Sequence, residues 1–274
     1  MIFATDLDRT LIFSEAFLEE SKVSYQSIEI YKEKPISYIS DQAIELLKEL
    51  SKRVHIIPVT TRNYEQYHRI ELFYEVFTPE IYIINNGGSI YVQGKEDQAW
   101  KEHITLAINA LVAGYDEVLQ SFLKDYKGPV ERWKKSDDLI WLVLGDKDQI
   151  DWQAVEQFEK NYSHKGWKID VNGRKIYLYP EFINKWAAVQ YVQETYLSEE
   201  DIVAAGDSLF DYEMIHKAKW GIIPKNAWIE SSCMPYIMVT PHTGLKAGEE
   251  ILEKVLSLWN TVSAPMNKNG HTIS

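Results

Sequence analysis

The chain has 274 residues, 45% hydrophobic and 26% charged, with 29 Lys and Arg against 41 Asp and Glu for a net charge of −12. That composition fits a folded soluble protein of one large or two modest domains and excludes a disordered chain. The acidic balance, with a pI near 5.1, argues against a nucleic-acid surface, which needs clustered Lys and Arg, yet leaves room for a small phosphorylated ligand.

The chain begins Met1-Ile2-Phe3-Ala4-Thr5-Asp6. It has no basic stretch ahead of an apolar one, so no signal peptide is expected. The longest apolar run, Leu139 to Leu144, is too short to cross a membrane. We expect no membrane or nucleic-acid partner, and a cytoplasmic location. The single cysteine, Cys233, rules out an internal disulfide framework and reads as an inert thiol.

Short apolar runs at Ile2–Thr5, 54–59, Ile81–Ile84, Ile202–Ala205, Trp220–Ile223 and 236–239 predict buried strands. Between 14 and 39, Ile28-Glu29-Ile30 and Ile36-Ser37-Tyr38 alternate like strands, and Lys34-Pro35 suggests the turn of a flap-like hairpin. A helix follows Ser40, with Ala43, Ile44, Leu47 and Leu50 on one face. Another is expected over 64–77, and later ones after Asn184, Ser208 and Thr243. Buried strands joined by helical crossovers predict an α/β fold with a Rossmann-like, mostly parallel sheet.

Residues 89–181 have a different texture. They hold Trp100, Trp133, Trp141, Trp152 and Trp167, for which core packing is the expectation. Helices are predicted near 103–126 and 151–162, and strands near 139–144, 167–171 and 175–179. Asn172-Gly173 is a hairpin signal between the last two. This predicts an inserted α+β unit at 89–181 between two halves of the core, 1–88 and 182–274. Arg132-Trp133-Lys134-Lys135 reads as a solvated loop, and the polar tail from Ser263 as mobile.

Several core strands run into polar residues: Asp6, Thr60, Asn85-Asn86-Gly87 and Gly206-Asp207. In open α/β sheets the ligand crevice lies beyond the carboxyl ends of the strands, so this set converges on one site. In Asp6-Leu7-Asp8-Arg9-Thr10, one carboxylate can attack phosphorus while the other donates and accepts a proton. A Thr hydroxyl at 60 can donate to a phosphoryl oxygen, and Lys185 can neutralise developing charge. Asp207 and Asp211 can hold Mg²⁺. Ser208 with Asp211 also fits a helix-capping box, and both roles are compatible.

The order Asp-x-Asp-x-Thr, Thr, Lys, Gly-Asp-x-x-x-Asp resembles the haloacid dehalogenase (HAD) superfamily of phosphohydrolases. The insert between the Thr and Lys motifs is similar to the C2-type cap of the Cof-like and sucrose-phosphatase-like branch. The resemblance implies that Asp6 is the nucleophile and Asp8 the general acid/base, with Thr60 and Lys185 binding the phosphoryl group. It implies a Mg²⁺ cofactor held by Asp6, Asp207 and the Asp8 carbonyl, with Asp211 supporting that shell. Arg62, Thr10, Asn86 and Arg9 are further candidates for substrate contact. Arg9 stands where many members have Gly, and Phe210 where Asn is common.

The expected activity is hydrolysis of a small phosphorylated metabolite, such as a sugar phosphate, through an aspartyl-phosphate. A phosphomutase or phosphotransferase on the same scaffold, or a non-catalytic ligand-binding regulator, are the alternatives. Neither His-Glu-x-x-His, Gly-x-Gly-x-x-Gly nor a Walker A motif occurs.

Overall fold

The computed structural model describes residues 1–18, 22–198, 200–229 and 235–263. Cys233 and the tail from 264 lie outside the described residues. β1 (Ile2–Thr5) is buried along its whole length, as befits a central strand covered on both faces. A hairpin follows, β2 (Tyr25–Tyr31) and β3 (Lys34–Ser40). Its turn is Lys32-Glu33, with φ of 50° and 64°, and not the expected Lys34-Pro35. Two left-handed residues match the twist of a two-residue hairpin turn, and Pro35 sits within β3 opposite Ile30.

The Ser40 hydroxyl accepts a hydrogen bond from Ala43 N and so caps α1 (Asp41–Leu50), whose buried face includes the four predicted residues. β4 (His55–Pro58) comes next. The helix expected over 64–77 is two short ones, α2 (Tyr64–His68) and α3 (Leu72–Glu75). The break has a cause: Glu71 N donates to Ile28 O at 2.8 Å, so the hairpin takes a backbone bond that a continuous helix would need.

β5 (Ile81–Ile84) lies beside the end of β4 through a parallel bridge between Val59 and Ile83. β6 (Ser89–Val92) and β7 (Lys95–Glu96) extend it antiparallel. The helix expected near 103–126 is again two, α4 (Gln98–Asn109) and α5 (Tyr115–Asp125). Each half buries a different face. Trp100 and Ile104 of α4 pack with Ile81, Ile83 and Ile90, whereas Val118, Leu119 and Phe122 of α5 join a separate cluster. Thus the first segments of the insert are bonded to the parallel core, and an independent layer begins at α5.

That layer continues with β8 (Arg132–Ser136), β9 (Ile140–Leu144), α6 (Trp152–Tyr162), β10 (Trp167–Asn172) and β11 (Lys175–Pro180). Its sheet is antiparallel in the order β10-β11-β9-β8. The predicted loop at 132–135 is therefore the edge strand β8, paired with β9 from Arg132 to Ser136. Only part of the expected tryptophan packing is present: Trp100 and Trp167 are buried, while Trp133 and Trp152 are 50% and 59% exposed.

The chain returns to the core through α7 (Lys185–Tyr196), β12 (Ile202–Ala205), α8 (Tyr212–Lys217), β13 (Trp220–Ile223), β14 (Ile237–Val239) and α9 (Gly244–Ser263). The core sheet is parallel in the order β14-β13-β12-β1-β4, the expected α/β arrangement. Among the described residues, no helix is long and apolar enough to cross a membrane.

Candidate active site

β1 delivers Asp6 to the carboxyl end of the sheet, and neighbouring β12 delivers Gly206-Asp207. Asp6 is buried; its Oδ1 accepts a hydrogen bond from Lys185 Nζ at 2.6 Å and its Oδ2 one from the Thr10 hydroxyl at 3.2 Å. Lys185 is the first residue of α7, which begins where the Asn184 side chain accepts from Ala187 N at 3.1 Å. Its buried ammonium also donates to Asp211 Oδ1 at 2.6 Å. Burial works against that charge, but Asp211 and Asp6 hold Lys185 above its ordinary pKa. Burial in turn pushes the Asp6 carboxyl up, Lys185 opposing and Asp211 and Asp207 adding to the rise.

Asp211 is enclosed by its own loop. Its Oδ2 accepts from Asp207 N at 3.2 Å, Ser208 N at 3.0 Å and Ser208 Oγ at 2.8 Å. Gly206 is needed for this packing, because a Cβ there would come within 2.4 Å of the Asp211 carboxyl carbon. Carboxylate oxygens of Asp6, Asp207 and Asp211 lie within 4.8 Å of one another and could hold a metal ion. A hard divalent cation suits such oxygen donors. Asp211's oxygens are taken up by Lys185 and by the loop, so Asp6 and Asp207 are the freer ligands. Burial, with the charge of Asp211, raises Asp207 to about 7.

Asp8 faces the cleft with its side chain 49% exposed. Both of its oxygens are gripped by Arg62, Nε to Oδ2 at 2.7 Å and Nη2 to Oδ1 at 2.8 Å. Burial would raise the Asp8 pKa, yet the charge and hydrogen bonds of Arg62 hold it below the ordinary carboxylate value, with Lys175 contributing. Arg62 is itself tied to the hairpin: its Nη1 donates to Glu29 Oε2 at 2.8 Å. Glu29 is completely buried and also accepts from Ser37 Oγ at 2.6 Å and Arg69 Nε at 3.1 Å. Sequence reading missed this carboxylate. The one signal was an acid flanked by isoleucines in a strand.

These groups open onto a cavity of about 550 Å³ between the parallel core and the antiparallel sheet. Asp6, Asp8, Arg9, Arg62 and Asp207 line it, as do Lys134, Lys175 and Tyr177 from the antiparallel sheet. Arg9 has a left-handed backbone (φ 67°), which explains why glycine suits this position, and its Nε lies 3.8 Å from Asp207 Oδ2. Phe210 packs edge-on against Tyr177 with ring centres 5.0 Å apart, so it meets the opposite wall. Thr60 is buried, its Oγ1 accepting from Arg62 N at 3.1 Å, and the adjacent Thr61 lines the cavity. Thr10 is buried behind Asp6. Asn86 lies elsewhere: its Nδ2 donates to Ile183 O at 3.1 Å, and it lines a separate cavity with Asp170 and Tyr179.

The family model of sucrose-6F-phosphate phosphohydrolase matches residues 1–234. No curated protein sequence matches the chain. The chain is similar to the sucrose-phosphatase of Synechocystis sp. PCC6803, solved with sucrose and phosphate, at 18% identity over 95% of this chain and 98% of that one, with a TM-score of 0.67. A haloacid dehalogenase-like hydrolase of Bacillus subtilis has 17% identity over 93% and 91%, with a TM-score of 0.55. A trehalose-6-phosphate phosphatase of Aspergillus fumigatus has 17% identity over 94% and 92%, with a TM-score of 0.53. At these identities the structures speak for the fold, and the family model for membership. The chain belongs to the sucrose-6F-phosphate phosphohydrolase family.

Proposed function

We propose that the chain is a Mg²⁺-dependent phosphatase of a sugar phosphate, working through an aspartyl-phosphate on Asp6. The observation that carries this is the buried Asp6 carboxylate, fixed on one oxygen by Lys185 and on the other by Thr10, facing a sugar-sized cavity. The names of two structural neighbours, a sucrose-phosphatase and a trehalose-6-phosphate phosphatase, support sugar phosphates as the substrate class. The cap is the layer from α5 to β11, which supplies the far wall.

Asp6 Oδ2 attacks phosphorus as the ester P–O bond breaks, and the leaving sugar oxygen takes a proton from Asp8. Asp8 then accepts a proton from the water that hydrolyses the aspartyl-phosphate, releasing phosphate and restoring Asp6. In the free site Arg62 keeps Asp8 ionised, so the acid step needs that grip to loosen and Asp8 to take up a proton from solvent. An arriving phosphoryl group, which competes for the guanidinium, supplies the means. Lys185 orients Asp6 and offsets charge at the reacting centre. Asp6, Asp207 and the Asp8 carbonyl would hold Mg²⁺, which supplies Lewis-acid stabilisation of the phosphoryl oxygens. Asp211 orients Lys185 and the 207–208 backbone.

The test is phosphate release from sucrose 6-phosphate, trehalose 6-phosphate and simple hexose phosphates, with and without Mg²⁺, and with Asp6→Asn as the blank. We expect Mg²⁺-dependent release that the variant loses. Release by Asp6→Asn at the wild-type rate would remove Asp6 as nucleophile.

A further inference from the structure

We propose that Lys134 forms an anion subsite on the cap, with Lys175 nearer the transferred phosphoryl, so that the favoured sugar phosphate carries a second anionic group, a carboxylate or a second phosphoryl, besides the one transferred. The inference rests on the sugar-phosphatase reading and narrows its substrate class.

Five basic and four acidic side chains line the cavity. Three of the basic ones are engaged: Arg62 with Asp8 and Glu29, Arg69 with Glu29 and Glu65, and Arg9 beside Asp207. The Lys134 and Lys175 side chains make no hydrogen bond or ion pair with any described residue, although both line the cavity. With every lining group in its ordinary charged form, the cavity carries one excess positive charge. Buried Lys185 and Asp211 behind it cancel. A divalent metal raises the excess to three, and the dianion of a phosphate monoester brings it back to one. In a chain of net charge −12, an unbalanced positive pocket is a local feature that a second anionic group would balance.

The sheet register separates the two lysines from each other. Lys134 pairs with Leu142 across β8–β9, and Leu142 pairs with Tyr177 across β9–β11; Lys175 lies two residues from Tyr177 on the same face. The lysines thus stand two strands and two residues apart, about 12 Å at the backbone. Lys175 is on the strand that sets Tyr177 against Phe210, which places it toward the reacting centre, and its charge helps hold Asp8 down. Lys134 stands on the far edge strand. The pair therefore follows a ligand with charge at both ends better than one with a charged end and a neutral one.

Calorimetry on Asp6→Asn with Mg²⁺ separates binding from turnover. The probes are matched pairs: glucose 6-phosphate against 6-phosphogluconate, and fructose 6-phosphate against fructose 1,6-bisphosphate. We expect at least one doubly anionic ligand to bind about tenfold more tightly than its partner. Which one does so tells carboxylate from phosphoryl. That gain should shrink in Lys134→Met, and at 0.5 M salt, where screening is strong, whereas Lys175→Met should weaken both members of a pair alike. Equal affinities within both pairs, or a gain that survives in Lys134→Met, would overturn the subsite. Phosphate release by the wild-type enzyme is scored separately. If no sugar phosphate is turned over but the affinity gain and its lysine dependence appear, the catalytic reading falls and the subsite stands.

Discussion

Glu29→Ala is the sharpest test of how the flap hairpin is built into the site. Glu29 is wholly enclosed and faces two arginines, Arg62 at 2.8 Å and Arg69 at 3.1 Å, with the Ser37 hydroxyl at 2.6 Å. Removing one partner of a buried ion pair costs about 3–5 kcal/mol, because the other charge is left without compensation. Arg69 has alternatives here, Glu65 at 3.2 Å and the Tyr31 ring at 4.6 Å. Arg62, whose side chain is 11% exposed, keeps Asp8. That retained partner places the expected loss near the low end of the range, about 3 kcal/mol. Equilibrium unfolding in urea, followed by tryptophan fluorescence, measures it. The same substitution in an Arg62→Met background should cost about 1 kcal/mol, since the stranded charge is gone. A loss below about 1 kcal/mol in the wild-type background would refute the argument. So would equal losses in both backgrounds.

Asp8→Asn should block turnover of sugar phosphates yet still accumulate phosphoenzyme from an aryl phosphate, whose leaving group needs little protonation. Acid-quenched labelling reads this out, and failure to label would place Asp8 in the attack step instead. Gly87→Ala should destabilise the fold by about 3 kcal/mol or more. Its backbone is left-handed (φ 95°), and a Cβ would meet Asn184 O at 2.2 Å. A thermal melt within 2 °C of wild type, which corresponds to about 1 kcal/mol in a chain of this size, would mean that the contact largely relaxes.

The parallel core and the reacting carboxylates were legible because both are written locally. A buried strand is a short apolar run, and the residue after it falls at the crevice by topology alone, which is how Asp6 and Asp207 were found. Glu29 was not legible in this way. Its partners Arg62 and Arg69 lie over thirty positions on, brought to it by hairpin pairing that no local pattern encodes. β8 reads as a loop in sequence because its Arg-Trp-Lys-Lys carries no apolar alternation; an edge strand with one face to a polar cavity does not need it. The helices at 64–75 and 98–125 ran together in sequence because periodicity reports amphipathic faces, not the points where two faces turn to different cores. Asn86 follows a core strand and so reads as a site residue, but its side chain instead holds the returning chain at Ile183.

That last contact has a mechanical meaning. Gly87, just past the end of the core strand β5, and the chain coming back from the antiparallel layer at Asn184 press against each other, with Lys185 the very next residue. Points close to a pivot sweep the smallest arcs. If the antiparallel layer swings about this crossing, Lys185 and the carboxylate it grips stay nearly still. Lys134, out on the edge strand, travels furthest. A door hung on the reacting lysine can open wide for a ligand without unsettling the atoms that react.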